Sequence, residues 1–175
     1  MFIRLLIPTI AVLLFLFEPL LAMFSPIVIG EQIVFLVPRF LILYLIFIAI
    51  YYNRKRAVLY GLFFGLLYDV FYIDIIGLYS FLYPLLCFIA GWSVKYIHQH
   101  LVITTVLAVM LVASMEIALY EFFFLINFTP MTFQMFLNNR LIPTIMANLI
   151  FLAMLGWAFK YLINKRVLQR AHNGA

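Results

Sequence analysis

Six apolar runs, each near the length of a bilayer-crossing helix, follow one another along this chain with only short polar breaks between them. A transmembrane helix needs about 20 largely apolar residues. The runs near 5–24, 33–52, 57–73, 78–95, 101–124 and 141–163 meet or approach that length. Turn formers and charges interrupt them at Ser25-Pro26 with Gly30-Glu31, at Asn53 to Arg56, at Asp74 to Gly77, at Lys95 to His100 and from Asn127 to Arg140. The expected fold class is all-α, a polytopic membrane protein with one transmembrane domain over residues 1–175. Only 10% of the residues are charged and 69% are hydrophobic, whereas a soluble domain carries roughly a quarter charged residues. The solvent of such a fold is lipid, and no room is left for a separate catalytic domain in water.

The basic residues orient the expected spans. Arg4, Arg54, Lys55, Arg56, Lys95, Lys160, Lys165, Arg166 and Arg170 fall on one side, while the opposite loops hold Arg140 with the acids Glu31 and Asp74. Cytoplasmic loops collect Lys and Arg, so both termini are expected inside, which requires an even number of spans. The net charge of +5 then reports topology and implies no nucleic-acid partner. Tyr51-Tyr52, Tyr60, Tyr72, Tyr79, Tyr96 and Tyr161 lie near span ends, where an interfacial aromatic belt would place them. Trp92 and Trp157 read as inner-interface anchors. The stretch Pro130 to Asn139 reads as a short interfacial helix, and the N-terminal run as an uncleaved first helix, since Ala22-Met23-Phe24 is a poor cleavage site.

Charged groups inside spans are costly and therefore informative. Glu18, Arg39, Asp69, Glu116 and Glu121 are such groups, joined by Asn148. At a rise of about 1.5 Å per residue, all fall in the outer half of the membrane. One reading makes Glu18, Arg39, Glu116 and Asn148 an outward-facing polar centre, with Glu18 the favoured partner of Arg39 because Pro19 and Pro38 stand beside them. The other lets these groups snorkel singly to the outer headgroups. Asp69 is too short to snorkel far, whereas Glu121 lies near a helix end. The exposed Arg140 is expected to matter less than Arg39.

Catalytic chemistry finds no foothold. There is no Ser/His/Asp set, Gly-rich phosphate loop or HExxH. His98 and His100 lack a third ligand at helical spacing. The single cysteine, Cys87, sits among Leu85, Leu86, Phe88 and Ile89 and reads as a small core residue. No enzyme, cofactor or metal site is expected.

The most specific segment is Gly61-Leu62-Phe63-Phe64-Gly65-Leu66-Leu67-Tyr68-Asp69, followed by Gly77-Leu78-Tyr79, Pro84 and Gly91. Gly61 and Gly65 expose a bare strip of helix backbone for close contact. Asp69 continues that strip one turn further, where it is expected to be buried and to accept hydrogen bonds near the turn that Gly77 permits. The third and fourth spans should form a tight antiparallel hairpin. This pattern, in a chain of this size and topology, resembles the rod shape-determining protein MreD family, in a Bacillus-type form. The resemblance implies a non-enzymatic scaffold of the bacterial cell-elongation complex in the plasma membrane. It would support cell shape and peptidoglycan synthesis through the membrane protein MreC, with the actin-like MreB, RodA and a class B penicillin-binding protein as further partners and membrane lipid around it. It also implies a fold similar to the substrate-binding S component of ECF-type transporters. The alternative function is such a transporter component, its polar cluster open to the outside, although few hydrogen-bonding residues are present to define a polar substrate.

Overall fold

The computed structural model describes residues 2–29, 32–73, 75–94 and 100–172. Glu31, Asp74, Lys95, Tyr96 and His98 lie outside the described residues, as do the side chains of Arg4, Arg166 and Arg170. The elements in chain order are α1 (Phe2–Ala22), an antiparallel pair β1 (Ile27–Ile29) and β2 (Gln32–Val34), α2 (Phe40–Tyr51), α3 (Arg54–Tyr68), α4 (Leu78–Ser93), α5 (Leu101–Leu125), α6 (Phe133–Phe136) and α7 (Ile142–His172). Single π-helical turns, Asp69–Ile73 and Leu137–Leu141, end α3 and lead into α7.

Among the described residues, three helical stretches are long and apolar enough to cross a membrane: Arg54–Ile73, Leu101–Leu125 and Phe133–Lys165. Leu6–Ala22, Phe40–Tyr51 and Leu78–Ser93 are apolar but shorter. Large apolar side chains face outward along α1 (Val12, Leu13, Leu16, Phe17, Leu20), as lipid solvent allows and water does not.

The core is built around α2. Leu41 to Ile48 are completely buried, because α2 touches α1, α3, α4, α5 and α7. A helix apolar on every face is suited to that position. Phe40 stacks on Phe151 at 3.7 Å, and the rings of Tyr44 and Phe47 meet Phe159. Near the other end of α2, the Tyr51 hydroxyl shares a hydrogen bond of 2.9 Å with Thr104. Arg54 opens α3 with its guanidinium over the Phe88 ring.

The apolar run read as helical from residue 33 differs from the structure. Residues 32–34 are a strand, 35–39 have no regular secondary structure, and the helix begins only at Phe40. Pro38-Arg39 therefore marks a helix start and not a kink inside one. A proline disfavours helical backbone in the residue before it and cannot donate a hydrogen bond itself. The remaining backbone groups must then find partners outside the local chain, and they do. Phe35 N donates to Asn139 O at 2.7 Å, and Leu36 N donates to Ser25 Oγ at 2.9 Å. Val37 N donates to Thr144 Oγ1, and Arg39 N donates to Asn148 Oδ1 at 2.9 Å. Asn148 Nδ2 donates back to Val37 O at 3.0 Å. Thr144 and Asn148 are one helical turn apart on α7 and both fully buried, so one helix face serves Val37 and Arg39.

Candidate functional site

The site grows from the α3–α4 hairpin. Positions 61, 65 and 69 are four apart and share one face of a helix. Both glycines lie against backbone, not against flexible side chains. A Cβ on Gly61 would lie 2.9 Å from Pro84 N and 3.0 Å from Tyr83 C. On Gly65 it would overlap Tyr79 O and lie 2.7 Å from Tyr79 C and 2.8 Å from Ser80 Cα. The bare strip therefore packs on the chain's own fourth long helix.

One turn beyond, Asp69 is completely buried. Its Oδ1 accepts from Tyr79 N at 2.7 Å, and its Oδ2 accepts from Gly77 N at 2.9 Å and Ser80 N at 3.0 Å. These are amides of the first turn of α4, which no helical carbonyl can reach. Gly77 enters that turn at φ +115°, a left-handed conformation that suits glycine. The carboxylate also sits at the positive end of the α4 dipole. Asp69 is thus a remote cap for α4, placed where the glycines bring the two helices together.

Replacing Asp69 by leucine orphans those amides. At roughly 1–3 kcal/mol for each buried donor left without a partner, the loss is expected to reach about 3 kcal/mol or more. Asp69→Asn keeps one acceptor oxygen and should fall between wild type and leucine. Thermal unfolding of the purified protein checks the order; a leucine variant as stable as the asparagine one would mean the amides do not depend on this side chain.

Tyr79 carries the argument to the second cluster. Its amide is held by Asp69, while its hydroxyl accepts from Arg39 Nη2 at 2.9 Å, with the guanidinium 5.3 Å from the ring centre. Arg39 is buried and its Nε donates to Glu116 Oε1 at 2.6 Å. The partner is therefore Glu116, not the favoured Glu18. Glu18, also buried, accepts from Leu41 N through Oε2 at 3.2 Å, so it caps α2 as Asp69 caps α4. Its carboxylate is committed to the α2 amide, while Glu116 reaches Arg39 from α5.

Arg140 is a second correction. It was expected to stand exposed, yet its Nε and Nη2 both donate to Glu116 Oε2 at 3.3 Å, with its side chain 34% exposed. Glu116 is thus clamped between two guanidiniums and has no exposed surface. Tyr79 itself, expected in an interfacial belt, is core, and it stacks on Tyr68 at 5.2 Å. Tyr51 is likewise buried, whereas Tyr72 and Tyr161 are exposed. Glu121 is exposed on α5.

Glu18, Arg39, Glu116 and Asn148 are accordingly brought to one end of the bundle, with Arg140, Tyr79 and Thr144 added. Of the added residues, Thr144 was signalled by its four-residue spacing from Asn148; the other two had no local signal. Chemically the centre is a lock. Arg39 and Glu116 are bound to each other and to the neighbouring Tyr79 and Arg140 side chains. Among the described residues no group of three His, Cys, Asp or Glu side chains is placed to hold a metal. Cys87 is buried and free, and His100 lies exposed at the start of α5.

A helical bundle with lipid-compatible faces and such a lock defines an all-α membrane protein with buried charges paired in its interior. The chain belongs to the MreD family. The model of that family, described as rod shape-determining protein MreD, matches residues 3–166. Among curated proteins, the rod shape-determining protein MreD of Bacillus subtilis (strain 168) is 36% identical over 148 residues, 83% of this chain and 85% of the relative. No solved structure matches the chain.

Proposed function

We propose that this protein is a non-enzymatic scaffold of the bacterial cell-elongation complex. It crosses the plasma membrane six times with both termini in the cytoplasm and supports peptidoglycan synthesis through MreC. MreB, RodA and a class B penicillin-binding protein are reached through the same assembly. The observation that carries this reading is family membership over nearly the whole chain, in a fold whose buried charges are committed to internal contacts.

Six spans are favoured by the geometry of the shortest one. The helix α2 covers about 18 Å at 1.5 Å per residue, and the non-helical residues before it add up to roughly 16 Å. Together these match a hydrocarbon core of about 30 Å. Non-helical backbone at that depth is tolerated only where protein encloses it, as Thr144 and Asn148 do here. The polar cluster also joins the C-terminal parts of α1, α3 and α5 to the N-terminal parts of α2, α4 and α7, the arrangement an up-and-down bundle produces.

Reporter fusions at residues 55 and 98 should place both on the cytoplasmic side; either one outside would overturn the orientation. Affinity purification from native membranes should recover MreC. Recovery of an energy-coupling ATPase module without MreC would replace the scaffold reading by the transporter one.

A further inference from the structure

Glu18 is only half satisfied. Its Oε2 accepts from Leu41 N, but its Oε1 is buried with no donor at full hydrogen-bond geometry, the Tyr68 hydroxyl being the protein donor that approaches the carboxylate. Beside it lies a cavity of about 330 Å³ whose wall includes Glu18, Ala22, Met23, Arg39, Tyr68 and Tyr72. The walls are mostly apolar, and Glu18 and Arg39 are the charged residues in them. A buried acceptor without a donor is costly in a protein interior, and pockets of this size with one or two fixed polar groups are the usual form of a small-molecule site.

We propose that this cavity binds an amphiphile carrying a free hydroxyl, whose O–H donates to Glu18 Oε1 while its apolar part lies along Ala22, Met23 and Tyr72. The need for a donor follows from the orphaned oxygen. The neutrality of that donor follows from charge. Arg39 and Arg140 both pair with Glu116 in the same cluster, and an ammonium entering the cavity would meet Arg39 in its wall. An alcohol completes the hydrogen bond without adding charge. Its long axis is accommodated by the lipid-facing side of α1, where Leu16, Phe17 and Leu20 are exposed. This site stands independently of the scaffold reading.

The test uses the full chain in phosphatidylcholine nanodiscs with two photoreactive probes, a diazirine-bearing hexadecanol and its methyl ether. The alcohol is expected to label Ala22, Met23 or Tyr72 at a concentration roughly tenfold lower than the ether, the cost of losing one hydrogen bond to a carboxylate. Glu18→Leu should abolish that preference. Because Glu18 also caps α2, a second variant is needed: Ala22→Trp fills the mouth without touching the polar centre and should abolish labelling by both probes while the protein stays folded. Equal labelling by alcohol and ether in the wild type would overturn the proposal, leaving the cavity to water or ordinary acyl chains. So would labelling elsewhere, or labelling that persists in folded Ala22→Trp. A photocrosslinking residue at position 23 in cells should give a lipid adduct; a protein adduct there would assign the cavity to a partner's helix and also overturn it.

Discussion

Arg39→Leu is expected to remove most of the folded protein from the membrane, by far more than Arg140→Leu. Arg39 is buried, and its loss leaves Glu116, which has no exposed surface, facing only the longer contacts of Arg140. Deleting one member of a buried pair typically costs about 3–5 kcal/mol, because the other charge stays behind uncompensated. Arg140 is a third exposed, and a solvated guanidinium contributes about 0–1 kcal/mol. The double variant Arg39→Leu with Glu116→Leu should recover much of the loss, since the pair is removed together and Glu116 is no longer left behind uncompensated. Immunoblots of membrane fractions and unfolding of the solubilised protein measure all of this. If the two single arginine variants behaved alike, the Arg39–Glu116 contact would carry no net weight. If the double variant were worse than Arg39→Leu, Glu116 would be needed for more than pairing.

Gly65→Leu is expected to be at least as damaging. The new side chain would start inside the backbone of Tyr79 and Ser80. That backbone cannot yield, because Asp69 holds the amides of Gly77, Tyr79 and Ser80. Overpacking against mobile side chains costs typically 1–3 kcal/mol; against pinned backbone the loss should exceed about 3 kcal/mol. Even Gly65→Ala should destabilise, and Gly61→Ala somewhat less, as its contacts are longer. Gly91→Ala meets only the Arg54 side chain, which can move, so it should be milder than Gly65→Ala. Since the strip lies on the chain's own α4, protein level should fall, and MreC recovery should fall only in proportion. A normal level of Gly65→Leu with MreC lost would mean that the strip meets a partner, contradicting the α3–α4 contact described here.

The sequence by itself determined everything that depends on near neighbours along the chain. The apolar runs set the solvent and the helical class. The spacing of Gly61, Gly65, Asp69 and Gly77 specified a hairpin with a buried carboxylate at its closed end, because 69 and 77–80 are brought together by one turn of chain whatever the rest does. The tertiary structure alone decided which acid meets Arg39. Depth along each helix was legible at a fixed rise per residue, which is why Glu18, Arg39, Glu116 and Asn148 could be expected near one another. Rotation about each axis was not. In water an amphipathic stripe shows which face turns inward, but lipid is as apolar as the core and erases that stripe. Nothing local told that Glu116, 77 residues from Arg39, turns toward it while Glu18 turns to the α2 amide. The same loss hid the non-helical segment 35–39. Its amides are satisfied in large part by Thr144 and Asn148, more than a hundred residues further on, which supply hydrogen bonds that lipid cannot.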